Sequence, residues 1–147
     1  MEQTIFTTMR EIFVLLVGDM VAALRPFHLT PEQFDTLLLL QQDHGWRMGD
    51  LSGRLLLDNS KMTRIVDYLA GQGWAARQPD PDDRRAQQVV LTAVGAAQRE
   101  LAQVAHLAAL QASLSGLAQT EQAQLLDLLA GWRASLGAIA RGTIAEG

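Results

Sequence analysis

The stretch 49-GDLSGRLLLDNSKMTRIVDYLAGQGWAARQPDPDDRRAQQVVLT-92 divides at a polar break, Asp58-Asn59. Before the break, Gly49–Leu57 reads as a short helix with Leu51, Leu55 and Leu57 facing inward and Arg54 outward. Gly53 weakens that helix by up to about 1 kcal/mol unless it allows a close approach. After the break, with Asp58 or Asn59 as cap, a second helix runs from about Ser60 to Gln72, with Met62, Ile65, Val66 and Leu69 on its buried face. Gly73 stops it, and two strand-like runs follow, Trp74–Gln78 and Gln87–Leu91. The tip between them is charged, Asp80-Pro81-Asp82-Asp83-Arg84-Arg85, and Pro79 and Pro81 cannot donate into a regular ladder. Two tightly joined helices followed by a hairpin make a winged helix-turn-helix.

The flanks are helical. From Thr4 to Leu24 the apolar residues Ile5, Phe6, Met9, Ile12, Phe13, Leu16, Val17, Met20, Val21 and Leu24 recur at three and four, and Pro26 ends the helix near Arg25. So wide a stripe exceeds what one small lobe needs to cover. Thr30-Pro31-Glu32-Gln33 reads as a capping box opening a central helix through Phe34, Leu37, Leu38 and Leu40 to about Asp43, with Gly45 as a left-handed stop. Downstream, Thr92 caps a helix from Ala93 to about Leu114 that uses Ala97, Leu101, Val104, Ala108 and Leu110. Gly116 breaks it, and a last helix after a Thr120 cap uses Leu125, Leu128, Leu129, Trp132, Leu136 and Ile139. The expected fold is mainly α (α+β): a winged lobe over residues 30–92, flanked by long helices over 4–25 and 93–141 that interdigitate with those of a second copy.

A chain of 147 residues with 48% hydrophobic content is expected to fold as one domain, 1–147. The absence of cysteine removes disulfides, thiolate metal sites and cysteine-based redox sensing. No signal-peptide pattern or long uncharged apolar run is present, and Ile12–Val17 is too short to span a bilayer, so a cytoplasmic location away from membranes is expected. The net charge of −4 argues against a generic basic coat for nucleic acid. Residues 1–46 carry six acids and two bases, 47–85 six acids and seven bases, and 86–147 four acids and three bases. The middle alone has a basic excess, and that excess is one, so nucleic-acid binding would need the arginines gathered on one face.

Such a face is available. Ser60, Lys61, Thr63 and Arg64 place donors near the start of the second helix, where arginine can read a guanine edge and the hydroxyls and lysine can meet phosphates or bases. Its free N-terminal amides add a further anion contact. Arg84 and Arg85 sit on a proline-stiffened tip suited to a narrow, negative minor groove, and Asp83 beside them has a sensible role in holding an arginine side chain in position. Arg54 and Arg77 are further phosphate-contact candidates, and Arg77 can equally buttress the hairpin by pairing with Asp80 or Asp82. The plain alternative is a solvated helix face and a solvated turn with weak ion pairs.

Taken together these segments resemble the MarR family of transcriptional regulators from about Thr4 to the end of the last helix. The resemblance rests on Leu29-Thr30-Pro31-Glu32-Gln33-Phe34, Asp50-Leu51-Ser52, Met62-Thr63-Arg64-Ile65-Val66-Asp67-Tyr68-Leu69, Gly73-Trp74-Ala75-Ala76-Arg77, Asp80-Pro81-Asp82-Asp83-Arg84-Arg85-Ala86, and Val90-Leu91-Thr92 with Gly95. It implies a homodimer joined through its first, fifth and sixth helices, with each lobe on a palindromic double-stranded DNA operator. Ser60, Thr63 and Arg64 would then be helix contacts, Arg85 the principal wing arginine, Asp83 its orienting partner and Arg84 a phosphate contact. The chain departs from the pattern at Leu56-Leu57, usually a small residue followed by an apolar one, and at the bulky Trp74.

The resemblance also implies a small aromatic or phenolic effector in a crevice between arms and lobe, for which Phe13, Phe27, His28, Trp46, Arg47 and Met48 are candidates. His28 could pair with a carboxylate, but the plainer and preferred reading is a surface or satisfied histidine. His28, His44 and His106 show no metal-ligand spacing, and no metal or other cofactor is expected. An enzyme is disfavoured, since no glycine-rich phosphate loop, metal motif or nucleophile–base arrangement is present. Two alternatives stay open beside a repressor: a transcriptional activator, and a winged helix kept for protein contacts, which the acidic net charge favours mildly.

Overall fold

The computed structural model describes residues 1–145, with side chains through Gly137, so Ile139 lies outside the described side chains. The chain forms two compact units, Met1–Leu110 and the segment from Gln111 onward.

The first unit opens with α1, Glu2–Leu24. Pro26 turns the chain into one 3-10 turn, Arg25–Phe27, closed by His28 in the left-handed region at φ 56°. The capping box at Thr30 is present: Gln33 N–H donates to Thr30 Oγ1 at 3.3 Å, and Thr30 N–H donates to Gln33 Oε1 at 2.9 Å. The helix it opens, α2, is Pro31–Leu39, four residues shorter than its apolar run suggests. Leu40 is extended, its carbonyl accepting from the Arg99 guanidinium at 2.9 Å, and the next carbonyl, of Gln41, accepts from Leu91 N–H at 2.9 Å. Another turn would depend on the Leu37 and Leu39 carbonyls, which instead accept from the Arg99 guanidinium at 3.5 Å and from Trp46 Nε1 at 3.0 Å. Gly45 is not a left-handed stop; a Cβ there would collide with the Gln88 side chain.

A short strand, β1 (Trp46–Arg47), then leads directly into α3 (Met48–Leu55) and α4 (Asn59–Gly71). Gly73, at φ 74°, ends α4 in the left-handed conformation as expected. The hairpin is β2 (Ala75–Pro79) and β3 (Gln87–Leu91), and β3 lies between β1 and β2 in an antiparallel sheet. Gln88 is the common register point, opposite Arg47 on one side and Gln78 on the other. The two-residue β1 carries no alternating pattern, which is why sequence reading missed it. The core of the lobe is Phe34, Leu37, Leu40, Leu51, Val66, Leu69 and Val89, all fully buried.

Next comes α5, Ala93–Leu114, whose first turn Thr92 caps by accepting from Gly95 N–H at 2.9 Å. A Cβ on Gly95 would fall 1.9 Å from the Trp74 carbonyl oxygen, so only glycine lets α5 rest on that backbone. The face α5 turns to the lobe carries Gly95, Gln98, Arg99, Ala102 and His106, with His106 edge-on to the Phe34 ring at 5.3 Å. Leu101 and Val104, on the apolar run expected to serve a dimer arm, are exposed within the single chain. α1 behaves the same way, with Leu24 its one buried residue.

The second unit holds the last turn of α5 and α6, Gln119–Ala145. Thr120 does not cap it: α6 begins one residue earlier, and the Glu121 carboxylate instead accepts Ala118 N–H at 2.7 Å. The apolar residues Leu125, Leu126, Leu128, Leu129, Trp132 and Leu136 are all exposed within the chain. No single described helix is long and apolar enough to cross a membrane.

Candidate nucleic-acid interface

The joint between α3 and α4 sets the outward face of α4. Leu57 N–H donates to Ser52 C=O at 3.0 Å, and Leu56 takes a left-handed conformation at φ 54°. That reversal points Leu57 toward the core and leaves Leu56 92% exposed, dividing the two leucines that the sequence presents side by side. Asp58 is the cap: its Oδ1 accepts Lys61 N–H at 2.7 Å. Buried Ser52 lies 2.8 Å from Asn59 Oδ1 and 3.0 Å from Gly49 C=O, tying the first turn of α4 to α3. With Met62, Ile65, Val66 and Leu69 buried, α4 has one rotation open to it, and Ser60, Thr63, Arg64 and Asp67 are exposed.

The cations of the lobe fall into two groups. Lys61 is committed, its Nζ 2.7 Å from Glu32 Oε1 on α2, and that hydrogen bond holds the Glu32 carboxyl below the usual carboxylate range. Both side chains are about two-fifths exposed, so this contact is worth roughly 0–1 kcal/mol. Arg77 is committed to Asp67 on α4 at 2.6 Å, not to Asp80 or Asp82. Arg47 is committed to Asp80. In contrast, Arg54, Arg64, Arg84 and Arg85 are exposed and make no ion pair among the described residues. The hydroxyl of Thr63 donates back to the Asn59 carbonyl at 2.8 Å, leaving its oxygen as an acceptor.

The wing tip is organised by Asp80, whose side chain is fully buried. Oδ2 accepts from Arg47 Nε at 2.5 Å, and Oδ1 accepts the backbone N–H groups of Asp82 at 2.8 Å and Asp83 at 3.2 Å. The Arg47 hydrogen bond, helped by these amides, pulls the Asp80 carboxyl down to about 2 from an ordinary 3.8. Asp83 does not hold an arginine side chain as expected: its Oδ1 accepts the backbone N–H of Arg85 at 3.0 Å, and among the described residues it makes no ion pair with either wing arginine. Asp80 N–H donates to Ala86 C=O, and Ala86 N–H to Asp83 C=O, closing the loop that displays Arg84 and Arg85.

The residues named for an effector crevice are spread over several elements. Phe13 lies on α1 and is 64% exposed, while Phe27 and Met48 pack against the lobe core. His28 is exposed, with its carbonyl accepting from the Tyr68 hydroxyl at 2.6 Å. Trp46 donates from Nε1 to Leu39 C=O at 3.0 Å, and Arg47 serves Asp80. Asp80 is the residue whose function sequence reasoning missed. Its partner is 33 positions away on a two-residue strand, and no local spacing reports such a pair.

Comparison with known proteins agrees with this architecture. The MarR family model matches residues 29–86. The HTH-type transcriptional regulator YhbI of Bacillus subtilis is 31% identical over 129 residues, which cover 88% of this chain and 83% of that protein. A second regulator from that organism, YkoM, is 31% identical over 99 residues, and the chain spans 64% of its length. Among solved structures, CouR bound to a 23-mer DNA duplex superposes with a TM-score of 0.76 at 25% identity, covering 86% of this chain and 89% of CouR. CouR from Rhodococcus jostii bound to p-coumaroyl-CoA gives 0.73 at 27% identity, covering 85% and 88%. The capped α4, the arginine-tipped wing and these likenesses agree: the chain belongs to the MarR family of DNA-binding transcriptional regulators.

Proposed function

We propose that this chain acts as a homodimeric repressor in the cytoplasm, binding a palindromic operator and leaving it when a small aromatic effector binds. Each lobe sets α4 in a major groove, with Ser60, Thr63 and Arg64 toward the bases, and reaches the adjoining minor groove with Arg85, while Arg54 and Arg84 meet phosphates. The observation that carries this reading is the division of cations. Arg54, Arg64, Arg84 and Arg85 have no ion pair in the lobe, whereas Lys61, Arg77 and Arg47 each have one. A carboxylate beside an arginine lowers its attraction for phosphate, and these four arginines keep theirs. Lys61 and Arg77 reach phosphate only by giving up Glu32 and Asp67, so they are the weaker contacts.

The dimer is assigned to residues 4–25 and 93–141, which hold most of α1, α5 and α6 and carry many of the exposed large apolar residues described in the single chain. Two lobes held at one spacing turn a modest contact into a selective one. The effector crevice is assigned to Phe13, Phe27, His28 and Met48. Trp46 and Arg47 join it only if a ligand displaces the bonds they already make. That CouR is found with p-coumaroyl-CoA supports an aromatic acid derivative as the effector class.

Titrating the protein against the DNA upstream of its own gene, and against a scrambled duplex, at several salt concentrations tests the reading. Saturable binding to the first is expected, with log K falling by about 0.9 per log unit of salt for each phosphate neutralised. Equal affinity for both duplexes, or no salt dependence, contradicts it.

A further inference from the structure

Arg47 and Asp80 stand on opposite sides of the central strand. Arg47 is on β1, opposite Gln88 of β3, and Gln78 of β2 faces Gln88 from the other side. Asp80 follows the end of β2 by one residue, beyond Pro79. Adjacent strands lie about 4.8 Å apart, so joining β1 to the end of β2 means spanning roughly two strand spacings, which suits a long side chain. The link ties together the two outer strands of a sheet whose hydrogen-bonded ladders run only through β3.

From Asp80 the bonding continues to the tip. The carboxylate holds Asp82 N–H and Asp83 N–H, and the Asp83 carboxylate holds Arg85 N–H. Asp80 is fully buried, and a buried carboxylate that loses its cation is strongly disfavoured. Arg47 also immediately precedes α3, so the clasp runs from the root of the helix-turn-helix to the backbone of the wing arginines.

We propose that Arg47 is a positioning residue for DNA binding: it clasps Asp80 across β3 and thereby fixes the attitude in which the wing presents Arg84 and Arg85. The inference rests on the DNA-binding reading above. Arg47 itself, although half exposed, is not a DNA contact. Its guanidinium serves the wing from the protein side.

The test uses the full-length protein and a fluorescent duplex enriched from a random pool by the unaltered chain, with a thermal melt to check that each variant folds. Arg47→Gln is expected to weaken binding by about tenfold, a loss of about 1.4 kcal/mol, and Arg47→Lys to restore part of it. Asp80→Asn is the discriminating variant. If Arg47 touches DNA, Asp80→Asn releases it and binding holds or tightens. If Arg47 acts through the clasp, Asp80→Asn weakens binding as Arg47→Gln does. In a background of Arg84→Ala with Arg85→Ala, Arg47→Gln should add little; a fully additive loss overturns the proposal, as does unchanged or tighter binding by Asp80→Asn. Hydrogen exchange at Asp82 N–H and Asp83 N–H, measured without DNA, separates this inference from the one beneath it. Faster exchange in Arg47→Gln supports the clasp even if no duplex is enriched and the DNA reading fails. Unchanged exchange refutes the clasp whatever the DNA result.

Discussion

Phe34 and Phe13 are the same residue on two helices of one chain, and they live in opposite surroundings. Phe34 is fully buried in the winged lobe, while Phe13 on α1 is 64% exposed. The contrast extends to their neighbours. In the lobe Leu37, Leu51, Val66 and Leu69 are sealed, and in the arms Leu15, Leu101, Val104 and Leu128 are each at least 60% exposed. The core of the lobe draws on α2, α3, α4 and β3, with Leu24 of α1 and Ala102 of α5 sealed into the same cluster. The arms carry large apolar residues that stay exposed among the described residues. A lobe with a sealed core has polar side chains left for a ligand, and the exposed apolar faces of the arms suit a second copy.

That contrast can be broken at either end. Phe34→Ala should cost about 3–5 kcal/mol of stability, since it empties a sealed site, and urea unfolding measures it; a loss below about 1 kcal/mol would mean that the lobe core is not closed. Leu101→Glu, on the uncovered face of α5, should leave the lobe folded and weaken self-association by about 2 kcal/mol or more. Sedimentation over a dilution series reads this directly, and an unchanged dimer removes that face from the interface. Arg85→Ala should lower duplex affinity by about 1–3 kcal/mol while melting temperature and dimer stay as they were; unaltered affinity would remove its role in the wing.

The smaller effects sharpen the lobe itself. Leu56 holds a left-handed conformation with its side chain 92% exposed, so the turn pays for a Cβ it does not use. Leu56→Gly is expected to stabilise the protein by about 1 kcal/mol, and a destabilised variant would show that Leu56 makes a contact that this geometry hides. The effect of acid should be local. Asp80 titrates at about 2 in the fold against 3.8 ordinarily, so the folded state favours its charged form. The clasp is therefore intact above about pH 4 and is lost as the pH falls through 2. Exchange at Asp82 N–H should quicken over that window, and in Asp80→Asn this pH dependence should be absent.

The lobe was legible in the sequence because its signals are local. Thr30 with Gln33, Asp58 before α4, Gly73 after it and the proline-flanked tip each announce a boundary within a few residues, and the structure has each where expected. What was illegible depends on distant partners. The early end of α2 follows from Arg99 and Trp46, and β1 exists because β3 pairs with it. The inward face of α5 was illegible for another reason. Its small and polar residues, Gly95, Gln98, Arg99 and Ala102, pack against the lobe, while the leucine-bearing stripe that periodicity selects stays uncovered. At the site, the free arginines were found by residue type, whereas the fates of Lys61, Arg77 and Arg47 were set by Glu32, Asp67 and Asp80 across the fold. The sequence showed the donors and could not show which of them were already engaged.

The most direct test of the central claim is selection of duplexes from a random pool by the unaltered full-length protein. An inverted repeat is expected, with half-sites about 10 base pairs apart centre to centre or a multiple of that, as two lobes related by a twofold axis require. Enrichment of no sequence, or of a single unrepeated site bound by one protomer, would contradict the account.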